Sequence, residues 1–205
     1  MKTIGVIGLG SIGMRHAKNL IDLGHHVMGH DPDPRYKDQH YPLEQIIQES
    51  DAVVIASPTS KHQRHLSMAI DYGANIFIEK PIMDRMGLDA HEIERLDSVC
   101  KTMVGYNLRF HSCVKKAKEW LDAGLIGNPI WSNFTLGQYN DRPPYLRDGV
   151  ILNWSHEIDL CTYLLGNASV VASSATIILR PFNTSDGTRL PSLSNVDSIS
   201  LNTRN

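Results

Sequence analysis

Short apolar segments alternate with amphipathic segments along the first half of the chain. Residues 3–8 are apolar and β-branched, which is typical of a strand buried on both faces. Residues 12–23 instead place apolar side chains at helical spacing, and Gly24 follows as a stop signal. The alternation then continues. It predicts strands over 26–30, 51–56, 75–78 and 102–105, and helices over 42–49, 61–72 and 88–100.

This order of elements predicts an α/β domain over residues 1–105, because alternating strands and helices favour a parallel sheet with right-handed crossovers. The pattern changes after Gly105, so we expect a second, different domain over residues 106–205. For that domain the pattern predicts helices over 112–123 and 153–165, and strands over 129–138, 169–179 and 196–203.

A glycine-rich turn over residues 8–13, with the sequence GLGSIG, joins the first predicted strand to the first helix. Gly8 allows a sharp turn, Gly10 lets the backbone approach a pyrophosphate, and Gly13 lets the helix pack closely. The helix start also offers unpaired N–H groups to phosphates. In this context the turn predicts a doubly wound Rossmann domain that binds a dinucleotide, rather than a turn without a ligand. The predicted contacts are Gly8, Gly10, Ser11, Ile12 and Gly13.

Asp31 follows the second predicted strand, at the distance where such domains carry an acidic residue for the adenosine ribose. A carboxylate there would accept ribose hydroxyls and repel a 2′-phosphate, which favours NAD over NADP. Arg35 lies close enough in sequence to keep NADP as an alternative.

Two further segments lie just beyond predicted strands, where ligands bind in an open α/β sheet. The segment after the third strand reads Ala-Ser-Pro-Thr and continues to His62, and the fourth strand ends in Glu-Lys-Pro. We expect cofactor contacts from Ser57, Pro58, Thr59, His62, Glu79 and Lys80.

Five motifs in a fixed order give the chain a family resemblance. They are the 8–13 turn, the 56–62 segment, the Glu79–Pro81 triplet, GYNLRF over 105–110 and SHEID over 155–159. In this order they resemble the Gfo/Idh/MocA oxidoreductase family, over nearly the whole chain. The resemblance implies an NAD- or NADP-dependent oxidoreductase acting on a sugar, an inositol or a related polyol. It also implies that the second domain is α+β with a mostly antiparallel sheet.

The resemblance assigns catalytic roles to Lys80 and to His156 with Asp159. Proline biases the residue before it towards extended backbone, so Lys80 can project from a strand end, more sharply if its bond to Pro81 is cis. Its ammonium would stabilise a developing alkoxide, unless it is a surface lysine. His156 would act as the base, and Asp159, one helical turn later, would orient it. Asn107 and Arg109 are expected to contact cofactor or substrate, or to form structural hydrogen bonds near the domain junction.

The chain departs from the family pattern in two ways. Asn153 stands where many relatives carry an aspartate, although asparagine is also a good helix N-cap. The second domain is shorter than in the family, which predicts a sheet with an unpaired edge. Two alternatives to an active enzyme therefore stay open: a non-catalytic dinucleotide-binding relative, and an interaction subunit that needs a partner chain. A homo-oligomer formed through the second-domain sheet is a further expectation.

Composition and residue spacing exclude some classes of partner. The 205 residues carry a formal net charge of -2, which gives no electrostatic basis for binding nucleic acid. No apolar stretch is long enough to span a membrane, and the histidines have no convincing metal-ligand spacing. Three scattered cysteines and the absence of a signal pattern favour free thiols in the cytoplasm.

Overall fold

The computed structural model describes residues 1–39, 41–83, 94–95, 101–129, 132–134, 155–166, 169–183 and 189–202. The chain divides into two units, Met1–Gly105 and Tyr106–Asn205. Asn153, and most of the helix expected over 88–100 and of the strand expected over 129–138, lie outside the described residues.

The first unit is a five-stranded sheet with helices on both faces. Neighbouring strands run parallel, as predicted, and their order in the sheet is β2-β1-β3-β4-β5. The strands are β1 (Thr3–Ile7), β2 (His26–His30), β3 (Ala52–Ile55), β4 (Asn75–Ile78) and β5 (Thr102–Val104). The helices are α1 (Ser11–Asp22), α2 (Leu43–Glu49) and α3 (Thr59–Asp71), and a short 3₁₀ segment spans Pro34–Gln39. The predicted bounds of these strands and helices agree with the observed ones to within two residues.

Both faces of the central strands are buried, which explains why these strands have almost no polar residues. Val6 and Val54 pack on the same face as α1. Their neighbours Ile7, Val53 and Ile55 point to the opposite face, because successive side chains of a strand alternate. There they pack against Leu43, Ile46, Ile47, Leu66, Ala69 and Ile70 of α2 and α3.

The strand order places a switch point at the carboxyl edge of the sheet. Strand β1 lies between β2 and β3. The chain therefore passes from β1 to β2 on one side of β1, and β3 lies on the other side. The turns that follow these strands start side by side. The Gly8 N–H donates to the His30 carbonyl at 2.7 Å, and the Ala56 N–H donates to the Ile7 carbonyl at 2.8 Å. In open α/β sheets this crevice is where ligands bind.

The second unit combines helices with an antiparallel pair of strands, as the resemblance implies. A 3₁₀ segment (Asn107–Phe110) leads into α4 (Ser112–Asp122), and α5 (Ser155–Leu165) precedes β6 (Ser169–Asn183) and β7 (Arg189–Asn202). The two strands pair from Ser169 opposite Asn202 to Asn183 opposite Arg189. Both are longer than predicted. None of the described helices has the length and apolar character needed to cross a bilayer.

Candidate cofactor site

Gly8 directly follows β1 in a conformation that favours glycine. Its φ is +93°, and a Cβ at this position would lie 2.6 Å from the backbone N and Cα of Ser57. A side chain would therefore be strained by the backbone angle and would also collide with the turn after β3. Glycine lets the turns after β1 and β3 come into direct contact at the switch point.

The other two glycines of the turn meet opposite surroundings. A Cβ on Gly13 would lie 1.8 Å from the Gly8 carbonyl oxygen, so glycine is needed for α1 to pack against the turn. A Cβ on Gly10 would meet nothing within 4 Å, and Gly10 is exposed. The sequence assigned the close packing to Gly13 and the ligand approach to Gly10, and the structure shows the close packing together with the open space.

The start of α1 has the features of a phosphate site. Gly10 is its N-cap, no side chain caps the helix among the described residues, and the first turn has no acidic residue. Ser11 and Ile12 of that turn are exposed. Free N–H groups and the positive end of the helix dipole favour an anion here. The residues present therefore fit the pyrophosphate of a dinucleotide.

Asp31 is held beside the turn by two backbone bonds. Its Oδ2 accepts the Leu9 N–H at 2.7 Å, and its Oδ1 accepts the Asp33 N–H at 2.9 Å. An ionised carboxylate has about four acceptor sites, so ribose hydroxyls can still be bound. Arg35 pairs with Asp33 at 2.5 Å, and this bond lowers the pKa of the Asp33 carboxyl. Because Arg35 is 78% exposed, this surface ion pair leaves NADP as the alternative.

His62 occupies a different place from the one expected. Its side chain is 1% exposed, with Nε2 2.8 Å from the Ser57 carbonyl oxygen and Nδ1 2.9 Å from the Pro81 carbonyl oxygen. Both ring nitrogens thus lie against main-chain carbonyl oxygens. The expectation that His62 contacts the cofactor directly is therefore corrected. Pro58, just before α3, is exposed, and Thr59, the first residue of α3, is half-buried.

His65 was not among the predicted site residues. Its Nδ1 lies 2.9 Å from the Ser57 hydroxyl oxygen. Burial, assisted by nearby His30, lowers the pKa of His65 to about 4, so the ring is neutral near pH 7. Ser57 is consequently held twice from α3, through its carbonyl by His62 and through its hydroxyl by His65. Helical spacing alone placed His62 and His65 one turn apart but could not show their common partner.

The turn after β4 presents Lys80 at the carboxyl edge of the sheet. The Lys80–Pro81 bond is cis, as hypothesised from the sequence, and Lys80 is half-buried. Glu79 accepts the Lys80 N–H through Oε2 at 3.3 Å. Its Oε1 lies 2.8 Å from Nε2 of His16 on α1, and this bond lowers the pKa of Glu79. Glu79 therefore links the glycine-turn helix to the strand end that carries Lys80.

In the second unit, Asp159 has a partner that the sequence did not predict. Its buried carboxylate accepts two bonds from Nε of Arg109, at 2.8 and 3.1 Å, and one from Nη2 at 2.5 Å. These bonds raise the pKa of Arg109. Asp159 thus forms an ion pair with a residue 50 positions earlier, and the expectation that it also orients His156 stays a prediction. His156 is half-buried, and its ring meets Tyr106 edge-on at 5.9 Å.

The remaining predictions concern Asn107, Arg109 and metal binding. Asn107 is exposed at the start of its 3₁₀ segment. Arg109 forms the structural bond that was its alternative interpretation. Among the described residues, no group of three or more His, Cys, Asp or Glu side chains could hold a metal ion.

Several known proteins resemble this chain in sequence. A model for the NAD-binding domain of D-isomer specific 2-hydroxyacid dehydrogenases matches residues 1–70. The scyllo-inositol 2-dehydrogenase (NAD(+)) of Bacillus subtilis is 28% identical over 86% of the chain, and the myo-inositol 2-dehydrogenase of Thermotoga maritima is 31% identical over 80%. The chain spans 58% and 54% of these two relatives.

A solved structure shares the fold. The scyllo-inositol dehydrogenase of Lactobacillus casei with bound NAD(H) and scyllo-inositol has a TM-score of 0.70 and 20% identity. The match covers 98% of this chain and 72% of that one. The homologues of this chain are thus inositol dehydrogenases and oxidoreductases of the Gfo/Idh/MocA type, the family that its motifs resemble.

Proposed function

We propose that this chain binds NAD(H), in preference to NADP(H), and acts as an oxidoreductase on a hydroxyl group of a sugar, an inositol or a related polyol. One observation carries the proposal. The open Gly10 turn and the uncapped start of α1 lie at the carboxyl edge of the sheet. Lys80 lies at the same edge, two residues after the end of β4. The names of the two inositol dehydrogenases support the substrate class.

The first unit supplies the groups that would hold the cofactor. The first turn of α1 would bind the pyrophosphate, and Asp31 would accept the adenosine ribose hydroxyls. Ser57 and Thr59 follow β3 next to that turn, and we assign them contacts with the remaining part of the dinucleotide. A bound nicotinamide would accept or release the hydride.

Lys80 is the proposed electrophile. Its ammonium would donate a hydrogen bond to the oxygen of the reacting hydroxyl and stabilise the alkoxide that develops there. The structure supports this role through the base of the side chain. The Lys80 backbone N–H bonds to Glu79, whose carboxylate is anchored by His16.

His156 is the proposed base that takes the hydroxyl proton. A positioned general base contributes roughly 10²–10⁴-fold to rate. We assign Asp159 and Arg109 a supporting role, because their ion pair joins α5, which carries His156, to the 3₁₀ segment before α4.

Two variants test the function. In calorimetric titrations we expect the purified chain to bind NADH more tightly than NADPH, and Lys80→Met to leave NADH affinity nearly unchanged. Turnover of scyllo-inositol, myo-inositol or a panel of pyranoses should fall by at least about 10²-fold in Lys80→Met. Lys18→Met is the matched control, because Lys18 is 74% exposed and pairs only with Asp22 among the described residues.

Three results would contradict the proposal. Absence of NADH binding would remove the cofactor assignment. Absence of turnover by the wild-type chain on every compound of the panel would favour the non-catalytic alternative. Equal turnover by Lys80→Met and Lys18→Met would remove Lys80 from the reaction.

We further propose that β6 and β7 take part in a subunit interface of a homo-oligomer. These strands have 15 and 14 residues, and each has one edge without a partner strand among the described residues. Such long edges tend to pair with another chain. Size-exclusion chromatography with light scattering should give a dimer or larger, and a monomer at all concentrations would contradict this.

We also propose that the protein works in the cytoplasm. Cys113 is an exposed free thiol and Cys161 a buried one, as expected in a reducing compartment. Fractionation of cells that express a tagged chain tests the assignment, and recovery outside the cytoplasm would contradict it.

A further inference from the structure

His62 lies in the first turn of α3, beneath the carboxyl edge of the sheet. With an exposure of 1%, its ring is out of reach of solvent and of any ligand that binds at the surface. The two oxygens that it contacts belong to the turns after β3 and β4, two strands that pair directly. A buried polar side chain therefore joins two turns that are far apart in sequence.

The chemistry of these contacts is directional. Both partners are carbonyl oxygens, which only accept, so the ring must be the donor in each bond. A neutral imidazole donates to one carbonyl, and an imidazolium donates to both. In either state at least one turn is tied to α3. An apolar replacement would leave both buried carbonyls without this donor.

The bond to Pro81 acts on the backbone that carries Lys80. Pro81 is buried and follows Lys80 directly. On the other side of Lys80, its own N–H is bonded to Glu79. The base of the lysine side chain is thus held between a Glu79–His16 pair and the His62 ring.

We propose that His62 is a positioning residue for Lys80: it clamps the Ser57 and Pro81 carbonyls and thereby fixes the turn that aims the Lys80 ammonium at its substrate. The inference rests on the proposed role of Lys80. His62 itself touches neither cofactor nor substrate. Its effect is on geometry, and a misplacement of about 1 Å can cost about 10²-fold in rate.

Three variants separate positioning from loss of stability. His62→Leu removes every ring N–H donor while keeping an apolar side chain of useful size. His62→Gln retains an amide N–H donor and should restore part of the function. Leu66→Val is the control on the same helix, one turn later and 1% exposed, because it loses packing volume but no polar bond.

Two readouts are needed. In steady-state kinetics, we expect kcat of His62→Leu to fall about 10- to 10²-fold, with the NADH dissociation constant changed by less than about threefold. In hydrogen exchange of the apo protein, the Glu79 and Lys80 amides should exchange faster in His62→Leu than in Leu66→Val, and His62→Gln should lie between them. Exchange requires no cofactor, so it tests the clamp even if the proposed enzyme activity fails.

The inference is overturned if His62→Leu and Leu66→Val give the same exchange at Glu79 and Lys80. It is also overturned if exchange differs but kcat does not. A loss of NADH binding in His62→Leu as large as its loss of kcat would show that the ring supports the cofactor turn rather than Lys80.

Discussion

The contrast between Gly13 and Gly10 leads to a quantitative prediction. In Gly13→Ala, the new Cβ would lie 1.8 Å from the Gly8 carbonyl oxygen and 2.9 Å from its carbonyl carbon. Backbone atoms cannot rotate away as a side chain can. The helix and the turn must therefore separate by more than an ångström before the contact is acceptable.

The size of the effect follows from two opposing terms. Overpacking of this kind costs about 1–3 kcal/mol and occasionally more, and a clash with backbone belongs at the upper end. Replacing glycine by alanine inside a helix raises the free energy of unfolding by up to about 1 kcal/mol. We expect the free energy of unfolding to fall by about 2 kcal/mol, which would lower the urea midpoint by roughly 1 M.

Gly10→Ala is the matched variant, because it adds the same methyl group three residues earlier in open space. Its free energy of unfolding should stay within about 1 kcal/mol of wild type, the scale of an N-cap change. NADH binding should nevertheless weaken by more than about tenfold, because the methyl would occupy the space that a pyrophosphate needs. Urea denaturation and calorimetry measure the two effects. Equal urea midpoints for the two variants would refute the packing argument, and unchanged NADH affinity in Gly10→Ala would refute the ligand argument.

Two further predictions concern buried ionisable groups. The folded-state pKa of His65 is about 4, against an ordinary value of 6.5, so the unfolded chain takes up a proton first as the pH falls. The free energy of unfolding should therefore decrease from pH 6.5 towards pH 4, and His65→Gln should flatten that slope in urea titrations; an unchanged slope would exclude His65 as its source. Arg109→Ala should lower the free energy of unfolding by about 1.5–3 kcal/mol, because it leaves the Asp159 carboxylate buried without its partner. Arg109→Lys should recover only part of this, since lysine cannot form the forked pair, and no loss in Arg109→Ala would show that solvent replaces the guanidinium.

The local order of the first unit could be predicted because its signals are local. The strands β1, β3 and β4 are short apolar runs, and the buried apolar residues of α2 and α3 recur at helical spacing. The glycine turn belongs to this class too. Gly8, Gly10 and Gly13 have distinct roles that follow from their spacing between a strand and a helix.

The side-chain partners could not be predicted in the same way. Ser57 and Pro81 meet at His62 only because β3 and β4 are adjacent in the sheet. The Asp159–Arg109 pair joins residues 50 positions apart. Helical spacing suggested His156 as a partner of Asp159 but gave no sign of Arg109, whose guanidinium offers a charged, forked donor.

The sequence by itself determined that strands and helices alternate, where the glycine turn lies and which residues stand at the strand ends, because periodicity and turn chemistry act over a few residues. Tertiary structure decided which of those residues meet. It buried His62 between two carbonyls, paired His16 with Glu79 and paired Asp159 with Arg109. Contacts of this kind depend on strand order and helix packing, which bring distant segments together and which no local pattern records.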